Sequence, residues 1–323
     1  SFINGTIGDR VGSLNRLKEA YTKEGVVQRA VAMAKLLAKN GVLHVRTNVD
    51  VDPRVGLTGI EALLEARDIC RRFIHIQVFA FAQEGIVRHP EVQRLLEKAL
   101  ALGADGIGGH SSIEPERKKH IDTIFQIAAH YGVHADFHVD EDADPENSLM
   151  DYIAEKTVSA GYQGRVNAVH CAALGIMPWD RARRSIERAA AAGLNVTVCP
   201  AVVAIDCPLA PVEAMIDQGI NVSLGSDNVR DPINPLGVGD PLALCYLVSH
   251  LQKCFTKNDL TNLFAVVTTN GTKTMGIAER YGIAEGRPAD LVIMDCDKPD
   301  GAILELPKQR NVIRSGKNIA SLL

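Results

Sequence analysis

Residues 121–141 read IDTIFQIAAHYGVHADFHVDE, and this stretch decides the fold. The amphipathic run Ile121–Tyr131 predicts a helix. Gly132 suits a left-handed C-cap that turns the chain into a strand. The β-branched, apolar run Val133–Val139 predicts that strand. It closes on His138, and Asp140 and Glu141 follow at once.

The same unit recurs on both sides. Strands are predicted at Val42–Val49, Ile74–Phe81, Gly103–Gly108, Val133–Val139, Val166–Cys171, Val196–Val203 and Val222–Gly225. Helices are predicted between them at Val26–Lys39, Glu61–Arg72, Glu91–Leu102, Leu149–Gly161 and Asp180–Ala192. Strand–helix alternation of this kind implies right-handed βαβ units and a parallel sheet. A closed (β/α)₈ barrel needs eight strands. An open doubly wound sheet would carry a Gly-rich phosphate turn, and neither G-x-G-x-x-G nor a P-loop occurs. Because the helix Val26–Lys39 precedes the first visible strand, the expectation is an α/β (β/α)₈ TIM barrel whose first strand lies upstream of Ser1. Residues 1–285 would then supply barrel strands 2–8. Two further helical segments, Pro241–Lys253 and Asp259–Tyr281, close that part. Residues 286–323, with strands at Asp290–Met294 and Asn311–Ala320 and a hairpin turn at Ser315–Asn318, would be part of a small β-sandwich domain.

The 323 residues are 46% hydrophobic and carry a net charge of -4, enough for a sizeable core and without a basic footprint for nucleic acid. Seven scattered cysteines show no Cys-x-x-Cys spacing, which fits reduced core thiols. No apolar run approaches the ~20 residues of a membrane span, and the N-terminus lacks a signal-peptide pattern. A soluble cytoplasmic protein without nucleic-acid or membrane partners is expected.

The ten histidines are not equivalent. His89, His110, His120 and His130 fall in expected loops or helix ends and read as solvated. His250 lies in a helix and reads as structural. His44, His75 and His134 sit early in their strands, toward the stability face of a barrel. His138 and His170 each end a strand, as does Asp227, and C-terminal strand ends converge on a barrel's active site. A single strand-end His is more often a satisfied polar group, and an Asp before Asn is often a turn residue. The convergence of several is what points to chemistry. Imidazole and carboxylate are ligands for zinc or divalent iron, and Glu141 stands three residues past His138, placed to shuttle a proton.

With His44-Val45-Arg46-Thr47, Gln83-Glu84-Gly85-Ile86, His138-Val139-Asp140-Glu141, Val169-His170, Gly225-Ser226-Asp227-Asn228 and the tail Tyr281–Ile293, the chain resembles the amidohydrolase superfamily, cytosine deaminase-like branch. The resemblance runs over essentially the whole sequence. It implies one divalent metal (Zn or Fe) on His138 and Asp227, Glu141 as acid/base, and His170 orienting the metal's hydroxide. It further implies Gln83 on the amide face of a small heterocyclic substrate, with Asn228 beside it, and homo-oligomers, which are common in the family. The expected reaction is attack of that hydroxide on an amino-bearing ring carbon with release of ammonia. The family's His-x-His is not present in these residues. Ser226-Asp227-Asn228 replaces the His-Asp-Asp of cytosine deaminases and looks like the branch acting on N-alkylated amino-triazines. Ile233 stands where cytosine deaminases place an aromatic. The alternatives are therefore an ammelide-like amidohydrolase and a catalytically silent barrel acting as a binding subunit.

Overall fold

The computed structural model of the chain describes residues 7–201 and 207–323. Its first part runs α1 (Ile7–Lys18), α2 (Lys23–Lys39), β1 (His44–Asp50), α3 (Thr58–Cys70), β2 (His75–Ala82), α4 (Glu91–Leu102), β3 (Gly106–His110), α5 (Arg117–Tyr131) and β4 (His134–Val139). It continues α6 (Met150–Ser159), β5 (Val166–His170), α7 (Trp179–Ala191), β6 (Asn195–Val198), α8 (Val212–Asp217) and β7 (Asn221–Leu224). Strands β1 to β7 pair in parallel and in sequence order, forming a curled, TIM-barrel-like α/β sheet whose edges among the described residues are β1 and β7.

The strands fall where the apolar runs place them. Gly103 and Gly132 cap α4 and α5 in the left-handed region (φ 109° and 68°), which only glycine enters without cost. Because Gly103 is used as that cap, β3 begins at Gly106. The expected strand Val196–Val203 ends at Val198, and Val202 and Val203 lie outside the described residues. Helix α1 lies in a segment for which no element is predicted; its sequence IGDRVGSLNRLK holds two glycines, although Ile7, Val11 and Leu14 recur at helical spacing.

Beyond β7 come α9 (Pro241–Gln252), α10 (Lys257–Val266) and α11 (Thr269–Thr274). The single helix expected over Asp259–Tyr281 is broken at Thr268, whose φ and ψ of -122° and -97° are not helical. Two adjacent threonines followed by Asn270 and Gly271 are poor helix formers, which accounts for the break. The tail forms β8 (Leu291–Met294), α12 (Pro299–Glu305), β9 (Arg310–Arg314) and β10 (Lys317–Asn318), with the three strands in one antiparallel sheet. Ser315 and Gly316 both have positive φ, the signature of a two-residue hairpin turn. Arg310 grips both carboxylate oxygens of Asp240 at 2.8 and 2.7 Å, tying this sheet to the barrel. No helix of the described residues is long and apolar enough to cross a membrane.

His44, His75 and His134 open β1, β2 and β4, at the ends away from the strand C-termini, as expected. Burial pushes His44 and His134 down to about 4, so both stay neutral. All seven cysteines are free, and all but Cys296 are buried.

Inside the curl the side chains are polar, where parallel barrels usually stack branched apolar residues. Arg46 contacts Gln77 Oε1 at 3.2 Å and Asp136 Oδ2 at 3.4 Å, donates to the Thr274 carbonyl at 2.8 Å, and lies over the Phe79 ring. Asn167 donates to Asp136, and Thr197 bridges Asn167 to Ser223. The glycines of β3 make room for this belt, because a Cβ at Gly106 would strike Phe79 and one at Gly108 the Asp136 carbonyl. Burial lowers the Arg46 pKa and raises that of Asp136, each partly offset by the other. Removing one member of such a pair costs ~3–5 kcal/mol, since the other is left charged and buried. Arg46→Met is expected to lose stability of that order in urea unfolding. Adding Asp136→Leu is expected to restore part of it, and strictly additive losses would show that the pair is not coupled.

Candidate active site

The C-terminal ends of β3, β4 and β5 bring three histidines side by side. His110 is the register partner of His138, and Val139 that of His170. His138 and His170 face each other, Nδ1 to Nε2, at 3.3 Å. Glu141, just past β4, reaches back over them: Oε1 lies 2.8 Å from His170 Nε2 and Oε2 lies 2.7 Å from His110 Nε2. Asn48 Nδ2, from β1, stands 3.2 Å from His138 Nε2, and the Phe81 ring lies 4.5 Å from the His138 ring. Gln83, after β2, places Nε2 3.2 Å from His110 Nδ1.

Backbone strain aims these groups. Asp140, His170, Cys171 and Asp227 all take positive φ (58°, 69°, 50° and 53°), a costly region for residues with a Cβ. The turn at Asp140 sends its carboxylate to Ser148 Oγ and the Leu149 amide at the start of α6, while Glu141 faces the histidines.

The electrostatics divide the cluster. Burial opposes charge on Glu141, but His170 and His110 hold its carboxyl well below the usual range. Burial likewise opposes charge on His170, but Glu141 raises it to about 9. His138 is driven well below its ordinary value by burial and by the charge of His170, so its ring is neutral and keeps one lone pair. His138, Glu141 and His170 each offer a donor atom within 4.8 Å of the others. Two imidazoles and a carboxylate are a donor set that suits zinc or divalent iron, so these residues fit a metal.

Of the residues singled out in the sequence, His138, Glu141 and His170 come together. Asp227, exposed just past β7, is outside that donor cluster. The Asn228 amide is hydrogen-bonded to Asp231 Oδ2. His110 corrects the sequence reading: it is a strand-end group with a side chain only 12% exposed, in contact with Glu141. The strand-end rule applied to His138 would have found it had β3 been extended past its glycines. His120 is also no surface histidine. It is fully buried, with Nδ1 2.9 Å from Glu114 Oε1. His130 is exposed and His89 partly so, in keeping with the solvated reading, while His250 is exposed on α9 against Tyr246.

Glu114 anchors the loop that carries Gln83. Its carboxylate accepts from the amides of Ile86, Val87 and Arg88. Gly85 is required there, because a Cβ would stand 2.7 Å from that carboxylate.

Residues 5–319 match the amidohydrolase family, described as Amidohydrolase family, and the chain belongs to it. It is accordingly a hydrolase of carbon–nitrogen bonds. It is 30% identical over 303 residues to N-isopropylammelide isopropyl amidohydrolase of Pseudomonas sp. (strain ADP), covering 92% of this chain and 74% of that protein. The crystal structure of 5-methylcytosine deaminase from Klebsiella pneumoniae liganded with 5-fluorocytosine superposes with a TM-score of 0.92 at 29% identity, over 97% of this chain and 79% of that one. N-isopropylammelide isopropylaminohydrolase from Burkholderia multivorans ATCC 17616 gives 0.89 at 29% identity, over 99% and 81%.

Burial opposes ionisation of Glu114, yet His120 and the loop amides bring its carboxyl down to about 2. A depressed carboxyl stabilises the fold above the ordinary value of 4.5 and loses that contribution as pH falls toward 2. The Tm gap between wild type and Glu114→Gln is therefore expected to be largest above pH 4.5 and to narrow below it. A gap independent of pH would contradict this anchoring.

Proposed function

We propose that this protein is a metal-dependent hydrolytic deaminase of a small nitrogen heterocycle, a cytosine-like cyclic amidine or urea, releasing ammonia. The observation that carries this is the Glu141 carboxylate bridging His110 and His170 beside neutral His138, at the mouth formed by the strand ends.

On this reading His138 and Asp227 would hold one divalent metal, zinc or iron, and His170 and Glu141 stand beside His138. Such an ion supplies acidity, bringing water to a pKa of ~7. Glu141, ionised, takes the proton of the attacking water and delivers it first to a ring nitrogen, then to the departing amino group. His170 orients that water through its Nε2. Gln83 hydrogen-bonds the amide edge of the ring and Asn228 lies beside it, so analogues that leave these groups unpaired are rejected.

A second reading, removal of an alkylamine from an ammelide-like triazine, is favoured by Ser226-Asp227-Asn228 and by the 30% identity to the Pseudomonas amidohydrolase. Turnover of cytosine, creatinine, isoguanine and N-isopropylammelide separates the two. A free-amino substrate is expected to give the highest kcat/KM, and a large lead for the alkylated one would establish the second reading instead. Glu141→Gln is expected to bind substrate with kcat down ~10²–10⁴-fold. Metal analysis is expected to show near-stoichiometric ion, and chelation to abolish turnover. An active Glu141 variant would remove its assigned role.

A further inference from the structure

We propose that His110 is a positioning residue that ties the amide of Gln83 to the carboxylate of Glu141, so that each group fixes the orientation of the other. The inference rests on the reading of Glu141 and Gln83 given above and adds a residue that reading does not contain.

The direction of the chain follows from what each group can do. A carboxylate accepts and does not donate. His110 Nε2, 2.7 Å from Glu141 Oε2, must therefore carry the hydrogen. A ring that carries its single hydrogen at Nε2 presents a lone pair at Nδ1. Gln83 Nε2, 3.2 Å from that atom, is an amide nitrogen and can only donate. Both links agree in one sense, Gln83 to His110 to Glu141. A flipped amide would set the Gln83 oxygen against the lone pair of the ring. A reversed tautomer would set a lone pair against the carboxylate.

His110 Nε2 is buried, and its contact with Glu141 is short without being an aligned hydrogen bond. Catalytic hydrogen bonds of that kind tighten when the site fills. His170 holds the other carboxylate oxygen at 2.8 Å, so Glu141 is gripped from both sides. With its nitrogen directed at His110, Gln83 keeps Oε1 as an acceptor for a ring N–H. His110 thus sets which edge of the heterocycle can dock, although it touches no reacting atom itself.

Two measurements test this. In protein labelled with ¹⁵N-histidine, long-range ¹H–¹⁵N correlation is expected to show His110 as the Nε2–H tautomer, and Glu141→Gln to weaken that preference. An Nδ1–H ring, or averaged tautomers as in a solvated imidazole, would overturn the proposal. No substrate is needed, so this result stands even if every heterocycle tried is inert, an outcome that would defeat the functional reading alone. With the best substrate, Gln83→Leu and His110→Leu are each expected to lower kcat/KM by about tenfold or more. The double variant is expected to be no worse than the weaker single, because coupled residues are non-additive. His110→Gln, able to accept from Gln83 and donate to Glu141, is expected to recover most of the loss. Losses that multiply, or a Gln that folds normally and fails to rescue, would reduce His110 to a packed strand end.

Discussion

The buried contact between Arg46 and Asp136 governs how this site is built. Side chains alternate along a strand, so residues two apart share a face. Asp136 and His138 are consecutive inward positions of β4, and Arg46 and Asn48 are the matching pair on β1. Fixing Arg46 against Asp136 at 3.4 Å therefore fixes the layer above, where Asn48 meets His138. Two buried charges are costly, and the belt of Gln77, Asn167, Thr197 and Ser223 supplies the hydrogen bonds that make them tolerable. An apolar interior would pack as well, but it would present no oriented polar partner to the histidine above.

A second constraint acts on the backbone. Asp140, His170, Cys171 and Asp227 adopt left-handed conformations at the ends of β4, β5 and β7, at ~1–3 kcal/mol each. The surrounding bonds hold these turns in place. Asp140, whose carboxyl burial raises to about 6, is clamped by Ser148 and Leu149. Strand ends thus become short turns that point Glu141 one way and its neighbour the other. The three histidines end strands, Glu141, Asp227 and Asn228 sit in the turns that follow, and Gln83 rides a loop. That loop is in turn held by Glu114 and His120.

What could be read from the sequence follows the range of each signal. Helix-cap glycines and β-branched runs are local, and they located all seven parallel strands and two of the three strand-end histidines, His138 and His170. His110 escaped because Gly106-Ile107-Gly108-Gly109 carries little strand propensity. Those glycines are there for neighbours, Phe79 and Asp136, that only the folded sheet brings near. His120 escaped for a similar reason: a basic run beginning a helix looks solvated until Glu114, six residues earlier, turns beneath it. The break at Thr268 falls in a Thr-Thr-Asn-Gly run of poor helix formers, and the two glycines of α1 obscure the helical period of Ile7, Val11 and Leu14.

On the proposed reading, the substrate end follows the logic of its two amides. An amide can present either oxygen or nitrogen, and a protein selects one by engaging the other. Asn228 directs its nitrogen to Asp231, whose second oxygen accepts from the amides of Ile233 and Asn234. Gln83 directs its nitrogen to His110. In both residues the nitrogen is engaged, and the oxygen is the atom the proposed heterocycle would meet. A carboxylate at 228 would instead oppose the carboxylate of Asp231, and the loop would need another donor to hold its turn. The replacement of acid by amide in Ser226-Asp227-Asn228 thus keeps an acceptor near the mouth while removing a charge. Under the proposed function, such a pair of oxygens favours a ring rich in N–H groups and carrying no strong positive charge.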